Sequence, residues 1–226
     1  MSSTPIVSVR GEVHREVAPE IARFSVTVAA RDRDRQTTLA RLAERAETAR
    51  RLIEGYGSAV ERVETGDLRV RPELKRSGEK VAAYQGSVSS TVTVADFGVL
   101  GELMLRLADL DQTSVAGPWW SLRPDSPVHR EARRDAIAEA LTRAREYAEA
   151  LGARVTALVE LADTGMANQP MMMTRAAFAG PMQAAGGPPT IELDPQQQTV
   201  QASVEARFAI SEPAVLADPA PPAPAG

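Results

Sequence analysis

The most unusual chemistry in this chain is that of methionine sulfur. The 226 residues contain no cysteine and seven methionines, five of which lie between residues 165 and 198: Met166, Met171, Met172, Met173 and Met182. Thioether sulfur is a soft ligand for Cu(I), makes adaptable apolar contacts and is oxidised reversibly. Three interpretations stay open: loose packing of a loop on its own domain or a neighbouring subunit, a contact with another subunit or partner, and metal or redox chemistry. The third is the least favoured, because the segment holds neither histidine nor cysteine to complete a site.

Groups suited to acid–base or nucleophilic catalysis are few and far apart. His14 is predicted to lie on a strand facing solvent, and His129 lies in the first turn of a helix with no histidine or paired aspartate at i+4. Glu12, Glu16 and Glu20 would share one strand face with each about 13 Å from the next, which is too far for a carboxylate dyad. The lack of cysteine also excludes disulfides, zinc–thiolate sites and thiol nucleophiles. We therefore predict a non-enzymatic protein with no catalytic residue, no cofactor and no metal site.

Charge and composition argue against nucleic-acid binding and against a membrane span. The chain has 26 basic and 30 acidic residues, a net charge of −4, and only 4% aromatic residues. Neither phosphate neutralisation nor base stacking is favoured by such a composition. No stretch approaches ~18 uninterrupted apolar residues, and the amino terminus lacks the basic and apolar regions of a signal peptide. We expect a cytoplasmic protein.

Hydrophobic periodicity predicts the element order β-β-α-β-β-α-β-α-β-β. Ala22, Phe24, Val26 and Val28 alternate with polar residues, as in a strand with one buried face. Alternation or helical repeats predict the elements as follows: two strands within 6–30, a helix over 36–54, strands over 60–71 and 84–94, a short helix after Asp96, a strand over 114–122 with Trp119 and Trp120, a helix over 126–152, and strands over 154–163 and 199–210. This order indicates an α+β fold, a mixed and largely antiparallel sheet with its helices packed on one face.

The longest helix has the clearest signals. Ser126 is a typical cap and Pro127 a typical first helical residue. An uncharged arc follows, formed by Ala136, Ile137, Ala140, Leu141, Ala144, Tyr147, Ala148 and Leu151. Every fourth residue from 136 to 148 is alanine, and such a ridge lets a helix lie unusually close to a sheet. In the first strand, Gly11 predicts a bulge or a close approach of another backbone.

Composition divides the chain into a core and flexible segments. We predict a flexible amino terminus over 1–5 and a single domain over 6–210. Residues 165–198 form a long methionine-, proline- and glycine-rich loop inserted in that domain. Residues 211–226 are predicted to be a disordered tail, because they are dominated by proline and alanine.

Four segments together resemble the SIMPL-domain family, which includes the periplasmic immunogenic proteins of Gram-negative bacteria. They are VRGEVHREVAPEIARFSVTV over 9–28, VETGDLRVRPEL over 63–74, AYQGSVSSTVTVADF over 83–97 and EARRDAIAEALTRAREYAEALGARV over 131–155. Their order and spacing carry the resemblance. Val13 departs from the family's second opening glycine, and Glu20 replaces its usual aspartate.

The resemblance implies a set of oligomerising, non-enzymatic proteins that are loosely linked to oxidative-stress tolerance and to cell-surface or signalling roles. It offers no catalytic residue to transfer. Family members are often exported, whereas we expect no leader here. We therefore predict a homo-oligomer whose contacts include the methionine-rich loop, with Trp119 and Trp120, and in which the loop also offers a surface for a protein partner. The alternatives are a Cu(I)-binding or redox-buffering protein that uses the loop, and an uncharacterised enzyme.

Overall fold

A computed structural model of the chain describes residues 4–75, 78, 80–163 and 191–216. Within these ranges the elements are β1 Ile6–Val17, β2 Ile21–Asp32, α1 Arg35–Glu54, β3 Val60–Leu74, β4 Val81–Val94, α2 Leu100–Ala108, β5 Thr113–Ser121, α3 Pro127–Ala150, β6 Val155–Asp163 and β7 Gln198–Ile210. The predicted order of strands and helices is confirmed. Strand β3 continues through Pro72, where the sequence predicts its end, and Pro72 lies opposite Tyr84 of β4.

The strands form two sheets, in the orders β1-β7-β6 and β3-β4-β2-β5. The α+β class is confirmed, but the strands do not share the single sheet that the sequence predicts. Alternation along a strand identifies its buried face and does not identify its neighbours, so the division could not be predicted from periodicity. The chain correspondingly divides into two compact units. Unit 1 contains β1, α3, β6 and β7 from Thr199 onward, and unit 2 contains β2 to β5, α1, α2 and, of the described residues after β6, 191–198.

Unit 2 is built on strand β2, whose alternating apolar residues are buried as predicted. Phe24 is fully buried and lies opposite Val92 of β4, so both side chains point to the same face of the sheet. Helices α1 and α2 pack on that face and contribute the buried residues Leu42, Ala49, Ile53, Leu100, Leu103 and Leu107. The polar alternate residues of β2 therefore lie on the opposite face.

Asp34 caps α1 and gives stability in unit 2 a defined pH dependence. Its carboxylate accepts hydrogen bonds from the backbone N–H and hydroxyl of Thr37, both at 2.8 Å, and these bonds lower the pKa of Asp34. A lowered pKa means that the contribution is present above the ordinary aspartate pKa of about 3.9 and is lost as the pH falls through the folded-state value. We expect the urea midpoint of wild type to exceed that of Asp34→Ala at pH 6, and the difference to shrink below about pH 4.

The matched control is Asp34→Asn, because asparagine caps a helix without titrating. Because asparagine does not titrate, the urea midpoint of Asp34→Asn should fall less on acidification than the urea midpoint of wild type. A difference between wild type and Asp34→Ala that is equally large at pH 6 and pH 3 would contradict the assignment.

Unit 1 places α3 against β1 at very short range. Ser126 caps the helix, its hydroxyl accepting from the N–H of Val128 at 3.4 Å. The buried ridge consists of Ala132, Ala136, Ala140, Ala144 and Ala148. A Cβ atom added to Gly11 would lie 2.0 Å from the carbonyl oxygen of Ala136 and 2.6 Å from the nitrogen of Ala140. The predicted close approach at Gly11 is thus confirmed, and its partner is the alanine ridge.

Both units contain the same β-α-β-β connectivity. In unit 1 the motif is β1-α3-β6-β7, and in unit 2 it is β2-α1-β3-β4. In each case the last strand lies beside the first, so that the middle strand, β6 or β3, is left at the edge of its sheet. Each edge strand begins with a valine that lies opposite the last residue of the neighbouring strand: Val155 of β6 opposite β7, and Val60 of β3 opposite β4. In both edge strands the register shifts directly after this valine.

Candidate interaction surface

Strand β6 presents an apolar row whose spacing comes from two β-bulges. Its register with β7 shifts between Val155 and Ala157 and again between Leu158 and Glu160. As a result Val155, Leu158 and Leu161 lie opposite Ile210, Phe208 and Ala206, which are alternate residues of β7 and share one face. These three residues, which are three apart in the sequence, therefore form a single apolar face on an edge strand.

Helix α3 leaves that face partly uncovered, because it packs mainly on β1. The result is a groove of about 330 Å³ between α3 and β6, which we name the α3–β6 groove. Its lining contains no charged residue and consists of Ile137, Ala140, Leu141, Val155, Thr156, Ala157, Leu158, Leu161, Ala206 and Phe208. The alanine ridge causes the opening, since it holds the helix close to β1 and away from β6.

The walls of the α3–β6 groove expose large apolar side chains. Ile137 is 41% exposed, Leu158 55% and Leu161 45%, and the neighbouring bulge residue Val159 is 51% exposed. These values show that part of the arc predicted on α3 is not buried within the described chain. The opposite side of the sheet carries charge instead: Glu160 and Arg207 form an ion pair at 3.2 Å. Near β6, one face of the sheet in unit 1 therefore carries an ion pair, and the other face is apolar and accessible.

Unit 2 has a related groove with a different rim. It lies between α1 and the sheet, has a volume of about 460 Å³, and includes Val63 of the edge strand β3. Arg50 borders it and forms an ion pair with Glu54 at 2.8 Å, while Glu47 also lies on the rim. Arg50 is thus held at a charged rim. This groove is less suited to a purely apolar contact than the α3–β6 groove.

The two tryptophans predicted as contact residues lie on opposite faces of β5. Trp120 is opposite Ala22 and packs edge to face on Phe97, with ring centroids 4.8 Å apart. Trp119 is opposite Arg23 and is 43% exposed. The structure therefore leaves Trp119 accessible, whereas Trp120 contributes to the packing of unit 2.

The remaining predicted residues are placed as follows. All five methionines of the cluster, Met166, Met171, Met172, Met173 and Met182, lie outside the described residues. His14 is exposed on β1, as predicted, and His129 lies in the first turn of α3 beside Arg130 and Arg133. Glu20 follows β1 rather than lying on it, and its carboxylate accepts from the N–H of Arg123 at 2.8 Å.

A polar cluster in unit 2 joins the end of α1 to α2. The hydroxyl of Tyr56 donates to Glu102 at 2.9 Å and accepts from Arg106 at 3.2 Å. Burial raises the pKa of Tyr56 above its ordinary value of about 10, which adds to the range of pH over which the phenol can donate to Glu102. The cluster is suited to holding two helices together. Among the described residues, no three histidine or acidic side chains form a group that could hold a metal ion.

These features define an α+β protein with an open apolar edge. The SIMPL family, described as a protein of unknown function (DUF541), matches residues 7–208, and the chain belongs to this family. No curated protein matches the chain. No helix in the described part is long and apolar enough to cross a bilayer.

Several solved chains are similar to this one, and one of them illustrates the extent of the likeness. It is a chain from Burkholderia cenocepacia provisionally named an amidohydrolase/peptidase, with 15% identity and a TM-score of 0.30. The match covers 60% of this chain and 35% of that one, so this chain spans about a third of its length.

Proposed function

We propose that this SIMPL-domain protein is non-enzymatic and acts by self-assembly. The observation that carries the proposal is the α3–β6 groove, which is free of charged residues and whose walls stay about half exposed in the described chain. Exposed apolar patches rimmed by polar residues typically mark interaction sites on soluble proteins. The family resemblance, which implies oligomerising proteins, supports the same function.

Burial of the exposed walls gives self-assembly its driving force. Removing apolar surface from water contributes about 25 cal/mol per Å². The side chains concerned belong to a helix and a strand, so little backbone order has to be gained when they are covered. The role in stress tolerance or signalling that the family implies would then depend on the assembled form, in the cytoplasm.

Self-assembly is tested by the mass in solution. We expect size-exclusion chromatography with light scattering to give a mass above the 24.2 kDa of one chain, and one that rises with concentration. High salt should strengthen the association or leave it unchanged, because apolar burial rather than charge drives it. A mass of one chain at every concentration up to the solubility limit would contradict the proposal.

A further inference from the structure

We propose that the face of the unit 2 sheet opposite α1 and α2 binds a linear oligosaccharide of carboxylated sugars. We name it the open face. It is made by every second residue of β2 from Arg23 to Arg31 and by the residues that lie opposite them on β4 and β5, and in turn on β3. All four strands belong to unit 2, so a single chain holds the complete surface and its binding does not require self-assembly.

One end of the open face combines two arginines, a glutamate and an exposed tryptophan. Glu64 of β3 forms an ion pair with Arg62, and the hydrogen bond in this pair, together with the charges of Arg62 and Arg23, lowers the pKa of Glu64. Arg23 is exposed and forms no hydrogen bond or ion pair within the part of the chain that the structure describes. It lies opposite Trp119, whose side chain is 43% exposed. This end therefore offers a planar cation next to a planar aromatic ring.

The other end repeats the pattern of charges. Glu73 accepts two hydrogen bonds from Arg31, at 2.7 and 3.2 Å, and these bonds, together with the charges of Arg31 and Arg71, lower the pKa of Glu73. Arg71 donates to the neutral amide of Gln85 at 3.2 Å, and its guanidinium has further N–H groups for a carboxylate. Arg23 and Arg31 are eight residues apart on one strand, which places the two ends about 27 Å from one another.

Between these ends, the two central strands present hydroxyl groups and no charge. The hydroxyl side chains are half-buried and belong to Ser25, Thr27, Ser87, Ser89 and Thr91. Strands β2 and β4 are each paired on both sides, so their backbone groups are not available to a ligand. A ligand on this surface must therefore be recognised by side chains, through polar groups along its length and negative charges near its ends.

Charge complementarity identifies the ligand as an anion. With the ion pair of Asp67 and Arg69 at the β3 edge included, the open face has five arginines and three acidic residues. Its net charge is therefore +2, whereas the whole chain has a net charge of −4. Arginine binds carboxylates through two parallel hydrogen bonds, which suits the guanidinium groups at both ends.

The remaining chemistry favours a sugar chain over other anions. Sugar hydroxyls match the hydroxyl side chains of the central strands, and the apolar face of a sugar ring can stack on Trp119, since an exposed indole is rigid and amphipathic. A nucleic acid is less suitable, because a single aromatic side chain offers little stacking to successive bases. An acidic peptide is also less suitable, because the central strands offer it no backbone pairing.

Calorimetric titration of the full chain with hexagalacturonate tests the class of ligand. We expect binding at low salt that weakens as salt is added, because exposed charges are screened. Maltohexaose has the sugar rings without the carboxylates, and octaglutamate has the carboxylates without the rings. Both should bind more weakly than hexagalacturonate by about tenfold or more, since the surface recognises both features.

Substitutions on the open face test the place of binding. Trp119→Ala should weaken the binding of hexagalacturonate about tenfold, and Arg23→Gln and Arg71→Gln about threefold each. All three side chains are exposed, so the circular dichroism spectra should stay those of wild type. The matched control is Arg51→Gln on α1, an exposed arginine that is paired with Glu47 on the other side of the sheet, and wild-type affinity is expected for it.

Each other outcome overturns the inference and leaves self-assembly, which is measured by mass, unaffected. Lack of hexagalacturonate binding at millimolar concentrations would exclude the ligand. Equal binding of octaglutamate would show a general attraction of anions. Equal weakening by Arg51→Gln and Arg23→Gln would show that the open face is not the place of binding. Tighter association with phosphatidylserine vesicles than with hexagalacturonate would assign the surface to a membrane.

Discussion

Replacing Gly11 by alanine is expected to lower the free energy of unfolding of unit 1 by about 3 kcal/mol. The new methyl group would lie 2.0 Å from the carbonyl oxygen of Ala136 and 2.6 Å from the nitrogen of Ala140. Both atoms belong to the backbone in the middle of α3, so no rotation of a side chain can relieve the overlap. The helix must move away from β1, and the contacts of its buried alanine ridge are then lost.

Two variants distinguish this mechanism from a general effect of substituting β1. Ser8→Ala, at an exposed position on the same strand, should change stability by less than about 0.5 kcal/mol. Ala140→Gly combined with Gly11→Ala should fail to restore stability, because the closest contact is with the oxygen of Ala136. Urea unfolding followed by far-ultraviolet circular dichroism measures the effect. Wild-type stability of Gly11→Ala would contradict the packing of α3 on β1.

The sequence predicts the elements of this fold well, because their signals are local. Alternation in β2, the Ser126–Pro127 start of α3 and the aspartate preceding α2 each depend on neighbouring residues. The close approach at Gly11 could also be predicted, since a glycine within a strand has few other reasons to be there. Its partner, the alanine ridge, was visible as a four-residue repeat.

The division into two sheets could not be predicted in the same way. β1 lies beside β7, which is nearly 200 residues away along the chain, and no local pattern encodes that pairing. The faces of β6 are a second case. Strict alternation would put Val155 and Leu158 on opposite faces, but the bulge after Val155 puts them on the same one.

The candidate site shows the same limit. Composition drew attention to the methionine cluster and to Trp119 and Trp120, whereas the described surface with the most suitable chemistry is the α3–β6 groove. Its signal in the sequence was the three-residue spacing of Val155, Leu158 and Leu161, which resembles neither a regular strand nor a complete helix. That spacing, within a segment otherwise predicted as a strand, indicates bulges.

Replacing Phe24 by alanine is expected to lower the free energy of unfolding of unit 2 by about 4 kcal/mol. Phe24 is completely buried and belongs to the same core as Leu100, Leu103 and Leu107. The backbone of β5 lies tightly against it, since a Cβ on Gly117 would be 3.0 Å from the Cβ of Phe24. Strands on both sides of β2 and the helices above it hold the surrounding atoms in place, so the cavity left by the ring cannot readily collapse.

Tryptophan fluorescence during urea unfolding is the appropriate measurement, because both tryptophans lie on β5, next to β2. Phe24→Leu keeps most of the volume and should cost about 1.5 kcal/mol, while Leu68→Ala, at an exposed position of β3, should stay within about 0.5 kcal/mol of wild type. The loss in free energy of unfolding should therefore increase from Leu68→Ala through Phe24→Leu to Phe24→Ala. That order would show that the loss follows the buried volume removed, and not the removal of an apolar side chain as such. A loss below about 1 kcal/mol for Phe24→Ala would mean that the core of unit 2 relaxes around the missing ring, in conflict with the close packing of β5 on β2.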